Sequence, residues 1–243
     1  MHLLEGEGVT RHFGGLAAVS DVDFYVDQGE ILGLIGPNGA GKTTLFNLIS
    51  AALKPKPGKI TFNGRDITPL PAYQICRLGI ARTFQTVKIF PHVPVVRNVM
   101  VGALFGTGRR TSSAEARKKA EEALEFVDML TLKNTVAGDL TLAQQKRLEV
   151  ARALASDPKL LLLDELMAGL TKPEVTEALG DIAELRSRGI TIIMIEHVMQ
   201  AIMAASDRII VLDYGKKIAE GTPAEVAANP KVIEVYLGEE CDA

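Results

Sequence analysis

The spacing of apolar residues changes along the chain in a way that predicts an α/β fold. Alternating apolar positions at 22–26 are followed by a nearly continuous apolar run at 31–35. This change is typical of a half-exposed strand followed by a strand buried on both faces. Two further continuous runs lie at 159–165 and 191–197, and helical patterns separate them. The sequence therefore predicts a parallel central sheet.

Two other apolar segments, at 59–67 and 207–221, have the character of antiparallel hairpins. Each is short and alternating, and each is interrupted by a turn dipeptide, Asn63-Gly64 in one and Tyr214-Gly215 in the other. Such dipeptides favour two-residue hairpin turns. We expect both hairpins at the periphery of the fold.

The region 86–156 shows no strand pattern and predicts helices instead. Ser112 and Glu115 have the spacing of a capping box. Apolar residues then recur at helical spacing, at Ala116, Ala120, Leu124, Val127 and Leu130. We interpret 86–156 as a helical subdomain inserted into a core formed by 1–85 and 157–243, so that 1–243 is one domain.

Composition excludes several classes of protein. A chain of 243 residues with 47% hydrophobic content, a net charge of −3 and a pI near 5.9 is an ordinary globular sequence without the basic field of a nucleic-acid binder. Cys76 and Cys241 form no CxxC pattern, which favours a reducing cytosol. Glu5 and Glu7 disfavour a signal peptide, and no apolar run approaches the roughly 18 residues of a membrane span.

The segment after the 31–35 run carries a phosphate-binding pattern, Gly36-x-x-x-x-Gly41-Lys42-Thr43. Glycines allow backbone N–H groups to surround phosphate oxygens, and the following helix adds partial positive charge. Lys42 is predicted to reach the β and γ phosphates, and the Thr43 hydroxyl to bind Mg²⁺. The predicted nucleotide-binding residues here are Gly36, Pro37, Asn38, Gly39, Ala40, Gly41, Lys42, Thr43 and Thr44.

An acidic pair follows the 159–165 run. Asp164 is predicted to bind Mg²⁺, and Glu165 to polarise an attacking water as general base. The alternative is an ordinary strand end with two solvated acids. If the acidic pair stood alone, the solvated strand end would be the favoured interpretation. Because a phosphate loop is also present, the metal-binding and general-base roles are favoured.

Five motifs in order then resemble the ATP-binding subunits of ABC transporters: GPNGAGKTT, ARTFQ, LTLAQQKRLEVARAL, LLLLDE and IIMIEH. The resemblance implies a P-loop NTPase core with a peripheral antiparallel β subdomain and a helical subdomain. It also implies an adenine contact at Phe13, with a core phenylalanine as the alternative, and a further nucleotide contact at Val19. Gln85 would contact Mg²⁺ and the attacking water, and His197 the γ-phosphate, so that the implied catalytic residues are Glu165, His197, Gln85 and Lys42.

The resemblance further implies a second ATPase subunit, since in this family two subunits enclose two ATP molecules and each phosphate loop faces the other subunit's signature. The signature here is Leu140, Thr141, Leu142, Ala143 and Gln144, where the family commonly has Leu-Ser-Gly-Gly-Gln. If the backbone of Ala143 requires a positive φ angle, its Cβ costs about 1–2 kcal/mol. Leu142 adds bulk beside the partner's nucleotide, and an aspartate common in the family is missing near Thr171. Homodimer and heterodimer both stay open.

The finer resemblance is to ATPase subunits of bacterial branched-chain amino acid importers, on the segments RHFGGLAAVSDVDF, ARTFQTVKIFPHVPVVRNVMVGAL and NPKVIEVYLGEE. It implies transmembrane permease subunits as partners, an indirect link to a substrate-binding protein, no nucleic acid, and a peripheral place on the cytoplasmic face of the membrane. Urea or amide import, lipopolysaccharide export and a binding-only regulatory subunit stay open. No long coiled-coil insertion, second phosphate loop or Asn-Lys-x-Asp motif suggests DNA repair, translation or a GTP switch.

Overall fold

A computed structural model of the protein describes residues 2–106, 108 and 110–239. The predictions that involve Cys241 and the last residue of the NPKVIEVYLGEE segment lie outside the described residues. Contacts between Cα atoms divide the chain into two compact units, Met1–Ala72 with Ile182–Ala243, and Tyr73–Asp181.

The strands and helices follow each other along the chain in an α/β order. The strands are β1 (Leu4–Phe13), β2 (Leu16–Val26), β3 (Ile31–Ile35), β4 (Lys59–Phe62), β5 (Arg65–Asp66), β6 (Ile80–Arg82), β7 (Leu160–Asp164), β8 (Thr191–Ile195), β9 (Arg208–Asp213) and β10 (Lys216–Gly221). The helices are α1 (Lys42–Ile49), α2 (Ala72–Leu78), α3 (Val95–Phe105), α4 (Ser113–Phe126), α5 (Leu142–Leu154), α6 (Lys172–Ser187), α7 (Met199–Ala205), α8 (Pro223–Ala227) and α9 (Pro230–Glu239). Short 3₁₀ turns lie at Leu130–Leu132 and Ala137–Asp139.

The first unit contains an antiparallel sheet with the strand order β2-β1-β4-β5. Val22, Phe24 and Val26 are buried and alternate with exposed residues, as predicted for a half-exposed strand. The turn between β4 and β5 has positive φ angles at Asn63 and Gly64, which confirms the first predicted hairpin.

Two of the predicted continuous apolar runs, at 31–35 and 191–197, form the parallel strands β3 and β8 of the first unit. Strand β3 pairs in parallel with β8 on one side and β9 on the other, and all five residues of β3 and of β8 are buried. The antiparallel pairing of β9 and β10 confirms the second predicted hairpin. Its predicted peripheral location is wrong for β9, because residues 209–212 are buried beside β3.

In the second unit, β7 pairs in parallel with β6, and all five residues of β7 are buried. Strand β6 was not predicted, because a strand of three residues is too short to establish a period. Helices α3, α4 and α5 enclose one apolar core, in which Ala116, Ala120, Leu124 and Val127 are buried as predicted. The described part of 86–156 has no strand, although its proposed boundaries as a subdomain stay a prediction.

Within the described ranges, no helix is both long enough and apolar enough to cross a bilayer.

Candidate functional site

The phosphate loop of the first unit connects β3 to α1. Gly41, immediately before the helix, has a φ angle of +103°, and a Cβ there would lie 2.3 Å from the carbonyl oxygen of Ala18. Only glycine fits at this position. The first backbone N–H groups of α1 have no intrahelical acceptor and carry the positive end of the helix dipole, which is an arrangement that binds phosphate.

Lys42 supplies the cation of this loop. Lys42 is only 6% exposed, and its Nζ donates to the backbone oxygens of Gly36 and Pro37. The ammonium group is therefore held against the loop rather than extended into solvent. Thr43 follows on the exposed side of the helix start. A buried ammonium and an exposed hydroxyl at one helix N-terminus fit the phosphates of ATP with their metal ion.

The other predicted residues of the first unit differ in exposure. Phe13, at the end of β1, is 47% exposed, and the Arg11 guanidinium lies 5.4 Å from its ring centroid. The phenylalanine is thus available for stacking rather than being a core residue. Val19 is fully buried, which gives no support to a nucleotide contact by its side chain. His197 is exposed and follows β8, a neighbour of the strand that leads into the phosphate loop.

The acidic pair of the second unit is held by the segment that follows β6. Arg82 pairs with Leu162 in the parallel register, which places its guanidinium beside the end of β7. Arg82 Nη2 lies 2.8 Å from Asp164 Oδ2, and the two side chains are 7% and 1% exposed. A carboxylate buried this deeply requires such a counter-charge, because the desolvation of an isolated buried ion costs on the order of several kcal/mol.

Glu165 has a backbone conformation that is uncommon for a residue with a side chain. Its φ angle is +52°, and its residue is 9% exposed. Its Oε2 accepts a hydrogen bond of 2.9 Å from Nε2 of Gln85. The two predicted catalytic residues of this unit are therefore in direct contact.

The signature residues begin helix α5. Thr141 is the N-cap, its hydroxyl accepts from the Gln144 N–H at 3.3 Å, and the Gln144 side chain accepts from the Thr141 N–H at 3.0 Å. Ala143 lies in the helix and is not among the residues with positive φ, so the expected strain does not arise. Leu142 is 53% exposed. The Thr141 hydroxyl still has its proton to donate.

Helix α5 also holds the segment 84–88, which we call the Gln85 segment. Glu149 accepts from the backbone N–H of Lys88 at 2.8 Å and from that of Phe84 at 3.5 Å. Arg152 donates to the Lys88 carbonyl and lies 3.0 Å from Glu149. Burial raises the pKa of Glu149 despite these favourable contacts.

Lys146 lies in α5, three residues before Glu149, and was not predicted as a functional residue. Its residue is 6% exposed, and its Nζ donates to the backbone oxygens of Glu165 and Leu166 at 3.0 Å each and to that of Ala168. A signal was present, because Lys146 lies four residues before Val150 and therefore on its buried face. Arg82 was missed as well, because β6 itself was not identified.

The predicted magnesium ligands come from both units, Thr43 from the first and Asp164 with Gln85 from the second. Their hydroxyl, carboxylate and amide oxygens are the donors that Mg²⁺ prefers. Among the described residues, no group of three His, Cys, Asp or Glu side chains could hold a metal ion alone. Each of these side chains thus has the donor chemistry to bind an Mg²⁺ ion that arrives with the phosphates of its substrate.

Two family models match the chain, and curated relatives align over nearly its whole length. A family model described as ABC transporter matches residues 19–168, and one described as branched-chain amino acid ATP-binding cassette transporter matches residues 216–242. The chain is 41% identical to the high-affinity branched-chain amino acid transport ATP-binding protein BraF of Pseudomonas aeruginosa, over 98% of each chain. It is also 41% identical to LivG of Escherichia coli K12, a protein of the same description, over 98% of each chain.

Solved structures give the same result for the fold. The ADP conformation of MJ1267, an ATP-binding cassette of an ABC transporter, superposes with a TM-score of 0.89 at 33% identity, covering 98% of this chain and 99% of that one. The dimeric post-hydrolysis structure of the cassette MJ0796, bound to ADP and Pi, gives a TM-score of 0.82 at 25% identity, covering 90% and 98%. The predicted P-loop core with antiparallel β and helical parts is confirmed.

Proposed function

The chain belongs to the ABC transporter family and is an ATPase, and from this premise we propose that it powers an importer of branched-chain amino acids. One observation carries the choice of transported solute. The similarity to branched-chain transport ATPases extends over 98% of the chain, and the more specific family model matches its C-terminal segment, 216–242.

The mechanism assigns each residue a task in the attack of water on the γ-phosphorus. Glu165 polarises the attacking water, and the amide of Gln85, already hydrogen-bonded to Glu165, orients both. Lys42 neutralises charge on the β and γ phosphates, and His197 contacts the γ-phosphate. As in other phosphoryl transfers, positioning and charge stabilisation supply most of the rate enhancement.

Thr43, Asp164 and Gln85 are the residues that would hold Mg²⁺. The ion would supply charge neutralisation on the phosphates. The buried contact between Arg82 and Asp164 fixes the direction of the carboxylate before the substrate arrives. The base of the nucleotide stacks on Phe13, whose ring is exposed for this contact.

The active form is a dimer of ATPase subunits on the cytoplasmic face of a membrane, in contact with permease subunits and indirectly with a substrate-binding protein. The capping box leaves the start of α5 ordered and the Thr141 hydroxyl able to donate to a partner's γ-phosphate. Differential affinity of ATP for the closed dimer moves the permease.

The first test uses Glu165→Gln, which removes the general base and keeps the side chain's size. We expect this variant to bind MgATP and to form a dimer, detected as a doubled mass by light scattering. We expect it not to hydrolyse the bound ATP. Glu177→Gln is the matched control, since Glu177 is exposed and its carboxylate pairs with Arg147 on the surface. Normal hydrolysis by Glu165→Gln contradicts the assignment of the base.

The second test identifies the transported solute. Cells that lack the chromosomal copy receive either the wild-type chain or Glu165→Gln, and uptake of labelled leucine and of labelled urea is measured. Restored leucine uptake by wild type alone supports the proposal. Urea uptake without leucine uptake would assign the subunit to the alternative importer.

A further inference from the structure

Lys146 is a buried cation that donates hydrogen bonds to backbone carbonyl oxygens. An ammonium group has three N–H donors, and burial of a charge is tolerated only where hydrogen bonds replace those of water. Three carbonyl oxygens accept from Lys146, those of Glu165, Leu166 and Ala168. We call residues 165–168 the Glu165 loop. The side chain therefore fixes this loop against helix α5.

The Glu165 loop needs such a restraint because its first residue is strained. A residue with a Cβ is disfavoured at the φ angle of +52° that Glu165 adopts. One of the three acceptors is the carbonyl oxygen of Glu165 itself, at 3.0 Å. Lys146 therefore holds the backbone from which the Glu165 carboxylate projects.

The same helix reaches the other partner of Glu165. Glu149 and Arg152 hold the backbone of Lys88 in the Gln85 segment, and Gln85 in turn donates to the Glu165 carboxylate. Helix α5 therefore contacts both sides of the Gln85–Glu165 hydrogen bond. A displacement of α5 changes the relative position of the two groups.

The signature lies at the start of this helix, with Thr141 as N-cap and Lys146 in the following turn. We propose that Lys146 is a positioning residue that couples the signature to Glu165. The inference rests on the proposed function, in which residues 140–144 face the partner's nucleotide while Glu165 acts on the chain's own. ATP held by this signature then alters the reactivity of Glu165 at the other ATP, so the two sites hydrolyse cooperatively.

The experiment measures ATP hydrolysis against ATP concentration, and separately ATP affinity, for the full-length protein with its partner subunit where wild type requires one. Lys146→Met keeps the length of the side chain and removes its donors. We expect affinity to stay within about twofold of wild type, the saturated rate to fall about tenfold or more, and the Hill coefficient to fall to about 1. Lys146→Arg, which restores donors, should recover much of both.

Arg147→Gln is the matched control, because Arg147 is the next residue of α5 and its guanidinium pairs with the exposed Glu177. We expect it to behave as wild type. A folded Lys146→Met protein with the wild-type rate and Hill coefficient overturns the proposal. A wild type that hydrolyses ATP with a Hill coefficient of about 1 also overturns it, and leaves the proposed function intact, whereas a wild type without hydrolysis contradicts the proposed function.

Hydrogen exchange of the wild-type protein tests the coupling even if Lys146→Met does not fold. We expect backbone amides in 141–146 and in 165–170 to gain protection at the same ATP concentration. Protection of 141–146 without any change in 165–170 would overturn the proposal.

Discussion

Replacement of Gly41 by alanine tests whether packing, and not only backbone conformation, requires glycine in the phosphate loop. A Cβ at Gly41 would lie 2.3 Å from the carbonyl oxygen of Ala18, closer than any real contact of this kind. Gly39 is a matched control in the same loop. Its φ angle of +81° is also positive, but a Cβ there would meet no atom within 4 Å.

The two substitutions share one cost and differ in another. Alanine at a positive φ angle is less favourable by about 1–2 kcal/mol at either position, and the loss of glycine's freedom in the unfolded chain offsets part of this at both. Only Gly41→Ala must also move a backbone carbonyl, and overpacking of this kind costs about 1–3 kcal/mol. We therefore expect Gly41→Ala to be less stable than Gly39→Ala by about 1–3 kcal/mol.

Urea denaturation followed by far-UV circular dichroism measures this difference, since the chain contains no tryptophan for fluorescence. With a slope of about 3 kcal/mol per molar urea, the two midpoints should differ by about 0.3–1 M. Gly39→Ala should bind ATP, whereas the displaced loop of Gly41→Ala should bind it weakly. Equal midpoints for the two variants would refute the argument from packing.

Three further predictions concern residues around the site. Lys42→Ala should weaken ATP binding about 10- to 100-fold, the loss of charge-assisted hydrogen bonds, and an equilibrium titration with unchanged affinity would contradict this role. Thr141→Ala should cost about 0.5–2 kcal/mol in unfolding experiments while Thr141→Ser stays near wild type; equal losses would show that the cap is not what matters. Burial raises the pKa of Glu149, so its favourable contribution is present below the ordinary glutamate range and is lost as pH rises through the raised pKa. Denaturation midpoints should accordingly favour Glu149→Gln over wild type more at about pH 7 than at about pH 4.5, and a difference that does not change with pH would contradict the direction of this shift.

The parts of the fold that the sequence predicts are those where burial determines residue type. The runs that became β3, β7 and β8 are apolar throughout because both faces of each strand are covered. Strand β9 contains four consecutive buried apolar residues, 209–212, but the hairpin turn at Tyr214 favoured a peripheral interpretation. A turn reports on the connection between two strands, and it carries no information on what lies at their other edges.

The candidate site was predictable where residues act through side-chain chemistry that the resemblance implies. The contact between Gln85 and Glu165 brings two such residues together. Lys146 was not predicted, because a charged residue in a helix is normally expected to be exposed. Arg82 was not predicted because β6 was not. Their partners, a buried carboxylate and three carbonyl oxygens, are visible only once the chain is folded.

The capping box at the start of α5 has a consequence for how related sequences should be compared. Thr141 and Gln144 satisfy each other's backbone N–H groups, so selection for folding alone preserves a hydroxyl at one position and an amide or carboxyl at the other. A relative that has abandoned ATP hydrolysis would still keep both residues. Leu142 and Ala143, between them, take no part in the cap and can vary without disturbing the start of α5. The presence of Thr141 and Gln144 in a relative is therefore not by itself a sign that it hydrolyses ATP.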